Sequence, residues 1–354
     1  MTGTRAIVIG HRGASGYRPE HTAAAYELAF VQGADAVEPD LVLSGDGVLV
    51  LRHENEISTT TDIAEHPEFA ARRTVRSVDG REVEGWFTED FSWEELRTLR
   101  ARERRPGIRP GSAAFDDRYG LLSFAELLRL VERVSAERGR RLGVVAELKH
   151  PSHFAARGLS LVDAYRDELA RQGWAGRDRR LVTECFEATA LRELAAEADG
   201  GRLVYLMEAE GTPPDLRAAG MPDHDRDDHD ELTDARLHGL RREFDGISLE
   251  KSLVLDDDRF GDVVPRAHAA GLLVFCWTLR PERRYLEPRY RGPGTDSGPD
   301  RGPGCGPGDG DDRGEWGDWG AEWRRLFATG VDGVFADHPD LALSVRDETT
   351  PPAR

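Results

Sequence analysis

Apolar residues recur along this chain in two alternating rhythms. Short continuous runs of Val, Ile, Leu and Ala are each followed by a longer segment in which apolar positions return every three or four residues. The first pattern marks strands buried on both faces, and the second marks amphipathic helices. Eight strand-like runs lie near Ala6–Gly10, Ala36–Leu43, Leu142–Leu148, Leu181–Phe186, Arg202–Met207, Gly246–Leu249, Leu272–Thr278 and Gly333–Ala336. Helical periodicity covers Thr22–Gln32, Ser123–Glu137, Ser160–Gln172 and Ala188–Ala198. Eight such units predict an α/β fold, a TIM (β/α)8 barrel rather than a doubly wound sheet.

Two stretches break the rhythm. Residues 45–120 separate the second and third runs by more than an ordinary loop allows. They hold a short strand ending at His53, a helical pattern over Ser92–Arg104 and the Pro-containing Arg105–Gly111. This is expected to be an insertion after the second barrel strand, capping the barrel mouth. Residues 289–320 are rich in Gly, Pro and Asp, a composition that packs no core. They read as a low-complexity expansion at the mouth, whose stretch Gly292–Gly314 is expected to be dispensable. The acidic stretch Asp223–Asp234 reads as a solvated loop. The remainder forms one domain over 1–345, with a tail at 346–354.

Composition narrows the function. With 39% hydrophobic residues the chain can bury a core, and no apolar run is long enough to cross a bilayer. A net charge of −18 argues against nucleic acid as a partner, though not against one small anionic substrate in a locally positive pocket. Among the 48 basic residues only Lys149 and Lys251 are lysines. The arginine excess fits a coding bias, which leaves the two lysines informative. Lys251 is as readily a structural ion pair as a functional group. Cys185 and Cys276 lie in apolar strands as buried thiols, and with Cys305 they form no disulfide framework. Met1–Arg5 leaves no room for a cleavable leader ahead of the first strand, which predicts a cytoplasmic protein.

The candidate chemistry collects at strand ends. His11 and Arg12 follow the first run. Glu38 and Asp40 stand two residues apart on the second, so their carboxylates share a face. His53 ends a strand after the Ser44–Gly47 reversal, and Glu147 and Lys149 end the third run. Three hard oxygen ligands, Glu38, Asp40 and Glu147, suit Mg²⁺ or Ca²⁺. Two histidines can serve as general acid and base. Arg12 offers a donor fork to a phosphate, and Lys149 a compact ammonium. Glu184 and Trp277 are further substrate-side candidates. His150 and His153 read as surface histidines, and Glu20 and His21 as the approach to a helix N-terminus.

The motifs His11-Arg12-Gly13-Ala14-Ser15-Gly16, Pro19-Glu20-His21-Thr22, Glu38-Pro39-Asp40, Arg52-His53-Glu54, Glu147-Leu148-Lys149-His150-Pro151 and Asp337-His338-Pro339 occur in an order that resembles the glycerophosphodiester phosphodiesterase family. The resemblance runs over nearly the whole chain. It implies a capped barrel and hydrolysis of a glycerophosphodiester to sn-glycerol 3-phosphate and an alcohol. It also implies a divalent cation on Glu38, Asp40 and Glu147, with His11 and His53 as acid and base in either assignment. Two alternatives stand beside it. One is a phospholipase-D-like enzyme acting on lysophospholipids, disfavoured because no basic or amphipathic membrane-binding stretch is seen. The other is a barrel that only binds phosphorylated ligands, for which two titrating histidines are superfluous.

Overall fold

The computed structural model describes residues 5–176, 180–220, 232–260, 262–292 and 315–349. Its strands are β1 (Ile7–His11), β2 (Ala36–Glu38), β3 (Asp40–Leu43), β4 (Leu49–Leu51), β5 (Thr74–Val78), β6 (Arg81–Gly85), β7 (Gly143–Leu148), β8 (Leu181–Cys185), β9 (Arg202–Met207), β10 (Gly246–Glu250), β11 (Leu273–Leu279) and β12 (Gly333–Ala336). Parallel pairing runs in sequence from β7 through β12 to β1, then to β2, and closes where β2 and β3 both pair with β7. This is the eight-stranded parallel barrel the periodicity predicts.

One barrel position is broken. The run expected over Ala36–Leu43 is two strands, because Pro39 supplies no N–H to the ladder. β2 pairs with both β1 and β7, whereas β3 pairs with β7 and, antiparallel, with β4 outside the barrel.

The helices start where side chains can cap them. Thr22 accepts from the Ala25 amide ahead of Ala23–Gln32, and Ser123 forms a reciprocal box with Glu126 ahead of Phe124–Arg138. Most of the core lies between barrel and helices. A separate small cluster of Ile9, Ala36, Val145, Val182, Val204, Phe275 and Phe335 plugs the barrel interior.

The insertion is irregular. It contains β4, the hairpin β5–β6, and only Trp93–Leu96 of the helix expected over Ser92–Arg104. That helix stops because the chain turns back into bridges, Arg100 to Gly120 and Ala101 to Thr61, which the apolar spacing alone did not reveal. His53 lies two residues past the end of β4, in a turn rather than in a strand. Residues 293–314 and the stretch 221–231 fall outside the described residues, so the expectations for the middle of the Gly/Pro/Asp-rich loop, for Cys305 and for most of the acidic run are not addressed by the structure. The flanks of the loop expected over 289–320 are structured: a 3-10 turn spans Pro288–Tyr290, Trp316 bridges Glu282 and a helix runs from Trp319 to Ala328.

Candidate active site

Strand alternation builds the site directly on the interior plug. Two residues beyond Ile9, Ala36, Val145, Val182, Phe275 and Phe335 stand His11, Glu38, Glu147, Glu184, Trp277 and Asp337, on the same face and one layer nearer the C-terminal strand ends. Register joins them sideways: His11 lies opposite Glu38, Asp40 opposite Glu147, and Glu147 opposite Glu184. A barrel concentrates catalytic groups at this end.

Glu38, Asp40 and Glu147 are all buried, with ligand oxygens within 4.8 Å of one another. Glu38 Oε1 accepts no hydrogen bond among the described residues, and the Lys149 ammonium stands 3.2 Å from Asp40 Oδ1 and 2.6 Å from Glu147 Oε1. Packed carboxylates resist ionising together. Burial, with Asp40 beside it, pushes Glu38 well above the usual range. Burial lifts Glu147 to about 7 against the pull of Lys149. Burial opposes ionisation of Asp40 too, but Lys149 and Arg12 outweigh it and hold that carboxyl well below its usual value. Orphaned, clustered, all-oxygen donors of this kind fit a hard divalent cation.

Asp40 is itself held. His21, fully buried in a left-handed backbone position, places Nε2 3.0 Å from Asp40 Oδ2, while its Nδ1 meets the Tyr26 hydroxyl at 2.8 Å. Burial lowers the His21 pKa despite Asp40, so a neutral ring orients the ligand. His21 therefore does more than approach a helix. Its place in the Pro19–Thr22 motif was the available signal.

His11 and His53 share a design. Nδ1 of His11 is 2.6 Å from Asp337 Oδ1, and Nδ1 of His53 is 2.6 Å from Glu54 Oε1. Each carboxylate is in turn gripped by arginine: Asp337 by Arg109 (2.6 Å) and Arg280 (2.9 Å), Glu54 by Arg104 (2.6 and 3.0 Å). Burial opposes ionisation of Asp337, yet Arg280 and Arg109 hold its pKa well below the usual range. An ionised acceptor fixes the proton on Nδ1 and leaves Nε2 to exchange protons. Burial and Arg12 lower His11 to about 4, and the same two causes lower His53, a third of whose side chain remains exposed.

Arg12 is more engaged than a simple phosphate fork. Its backbone N–H, at φ +56°, donates to Glu38 Oε2 (2.8 Å). Its Nη1 reaches Glu20 (3.1 Å) and its Nε lies 3.1 Å from Asp40, while no partner is found for Nη2 among the described residues. Glu20 also receives Arg104 from the insertion at 2.7 Å, so a carboxylate expected only to precede a helix ties cap to barrel. Arg104 and Arg109 escaped sequence reasoning because their partners lie far away along the chain, and Asp337, though part of the Asp337-His338-Pro339 motif, was given no role there.

The other candidates separate cleanly. Glu184 is buried beside Glu147 with Oε2 unpartnered among the described residues, and its pKa is raised well above the usual range by burial and by Glu147. Trp277 is half-buried, edge-on to Phe186 at 5.8 Å, with its indole N–H 3.3 Å from Ser248 O. Lys251 is structural: its ammonium pairs with the buried Glu322 at 2.7 Å. His150 and His153 are not surface residues. His150 meets Asp79 at the tip of the β5–β6 hairpin, and His153 meets Glu89 (2.9 Å) in the 3-10 turn Thr88–Asp90 after it, so the insertion covers both.

A sequence profile of the glycerophosphoryl diester phosphodiesterase family matches residues 11–341. A glycerophosphodiester phosphodiesterase of Arabidopsis thaliana is 29% identical over 301 residues, 80% of this chain and 77% of its own. A probable glycerophosphodiester phosphodiesterase of Mycobacterium tuberculosis is 54% identical over 187 residues, 52% of this chain and 58% of its own. Among solved structures, a protein of Silicibacter pomeroyi described as a putative glycerophosphoryl diester phosphodiesterase shares the fold with a TM-score of 0.66 at 21% identity, over 98% of this chain and 95% of that one. An Oleispira antarctica phosphodiesterase, solved with its product sn-glycerol-3-phosphate, does so with a TM-score of 0.60 at 20% identity, over 97% of both chains.

Proposed function

Since the chain belongs to the glycerophosphoryl diester phosphodiesterase family, we propose that it hydrolyses glycerophosphodiesters to sn-glycerol 3-phosphate and an alcohol, using a divalent cation and the His11–His53 pair. The observation that carries this reading is the carboxylate triad standing beside two imidazoles, each anchored through Nδ1 to an arginine-backed carboxylate. Residues 1–345 act as one catalytic unit.

Glu38, Asp40 and Glu147 would hold Mg²⁺ or Ca²⁺, which when bound neutralises charge on the phosphoryl oxygens. The chain supplies the rest. Arg12, already aligned by Glu20 and Asp40, directs Nη2 to a phosphate oxygen. Lys149 adds positive charge on the other side of the triad. Nε2 of one histidine takes the proton from the attacking hydroxyl, and Nε2 of the other gives one to the departing alcohol oxygen. Asp337 and Glu54 hold a proton on Nδ1 of both rings, which leaves Nε2 of the base free to accept and puts the second proton of the acid, as imidazolium, on Nε2. Trp277 and Phe186 offer an apolar wall for glycerol carbons, and Glu184 supports the triad from the next strand.

The test is product identity. Purified enzyme with Mg²⁺ or Ca²⁺ should release sn-glycerol 3-phosphate from glycerophosphocholine and glycerophosphoethanolamine and leave lysophosphatidylcholine nearly untouched. Preferential cleavage of lysophosphatidylcholine would favour the phospholipase-D-like alternative. Release of phosphocholine instead of sn-glycerol 3-phosphate would contradict the proposed cleavage.

A further inference from the structure

A narrow, solvent-open cleft lies beside His11 between the insertion and the loop after β11. Five of its eleven lining residues are arginines, against three carboxylates. One of those, Glu103, has its pKa raised by burial. In a chain of net charge −18 this is a local inversion of sign. A coding bias scatters arginines over a surface. It does not bring Arg105 from the cap and Arg280 from a barrel loop to the same aromatic ring.

That ring is Tyr285. Arg280 lies 4.9 Å from its centroid, Arg105 5.6 Å and Arg284 5.7 Å. The aromatic face of this cleft is therefore already engaged by guanidinium groups, and a quaternary ammonium would have to displace one of them. The same guanidinium groups retain hydrogen-bonding capacity. Arg105 is exposed, and its guanidinium has no hydrogen-bond partner among the described residues. Arg280 spends Nε on Asp337, and its Nη1 and Nη2 have no hydrogen-bond partner among the described residues. Two such forks suit a carboxylate or phosphate.

Resting on the hydrolytic reading above, we infer that this cleft receives the alcohol half of the diester and favours an alcohol bearing its own negative charge over one bearing a fixed positive charge. Arg105 and Arg280, with Tyr285 between them, set the preference. The placement beside His11 puts the departing oxygen within reach of a proton donor while the alcohol's distal group meets the arginines.

Three diesters of glycerol 3-phosphate separate the possibilities, with glycerol phosphate, glycerol or choline as the alcohol. kcat/KM should fall in that order, by at least tenfold from first to last, and 0.5 M NaCl should compress the range. Arg105→Glu should cut the anionic-to-cationic ratio at least fivefold, and Arg105→Lys should keep most of it. A ratio near one, or an equal fall on all three substrates in Arg105→Glu with an unchanged circular dichroism spectrum, would overturn the inference while leaving the hydrolytic reading standing. Absence of turnover on all three would take both down.

Discussion

Protons and metal compete for the same oxygens at the triad. Glu147 titrates near 7 and Glu38 well above the usual carboxylate range, because burial and neighbouring carboxylates disfavour their charged forms. A cation can bind only as those protons leave. Divalent-ion affinity should therefore rise as pH increases through about 7, and calorimetry in two buffers of different ionisation enthalpy should show net proton release. Affinity that stays flat from pH 6 to 8 would contradict this linkage. His21 acts one step back, by holding Asp40. His21→Ala should weaken metal binding about tenfold to a hundredfold, the range typical of groups that orient metal ligands. Saturating metal should restore most of kcat. If kcat stays low at saturation, His21 does more than position a ligand.

The turn after β1 sets the whole entrance. Gly13 sits at φ +89°, and a Cβ there would lie 2.6 Å from the backbone carbonyl carbon of Ala25 in the first helix. That turn also fixes the Arg12 amide on Glu38. Gly13→Ala should cost about 1–3 kcal/mol from overpacking alone, beyond the left-handed strain. Chemical denaturation should show the loss and activity should fall with it. An unchanged midpoint would mean that the helix moves aside without cost. Elements like this turn were legible in the sequence because glycine, histidine and arginine stood together at the end of an apolar run. The Ser92–Arg104 helix was not, since its apolar spacing is equally compatible with the bridges that replace all but one turn of it.

At the scale of the whole molecule, continuous apolar runs alternating with period-3.6 segments were enough to reveal the barrel, because each strand is buried on both faces and each helix on one. That Glu38, Glu147 and Glu184 stand together above an interior plug came only with the register of the strands. What escaped was the arginine scaffold: Arg109 reaches Asp337 across 228 positions, and Arg104 reaches Glu54 across 50 and Glu20 across 84. Such pairs leave no local pattern, and an arginine-rich composition hides the few that matter. Among the described residues no helix is long and apolar enough to cross a membrane.

The central claim is that His11 and His53 exchange protons with the substrate while the surrounding carboxylates hold metal and rings in place. It is tested most directly by kcat at saturating metal and substrate for His11→Ala, His53→Ala and the double variant, with thermal midpoints measured alongside. Loss of a general acid or base typically costs about a hundredfold to ten-thousandfold. Each single variant should lose that much with a nearly unchanged midpoint, and the double variant should be scarcely worse than the poorer single, since both residues serve one reaction. If either single variant keeps more than about a tenth of kcat, or loses activity only in proportion to lost stability, that histidine takes no part in proton transfer and the account is wrong.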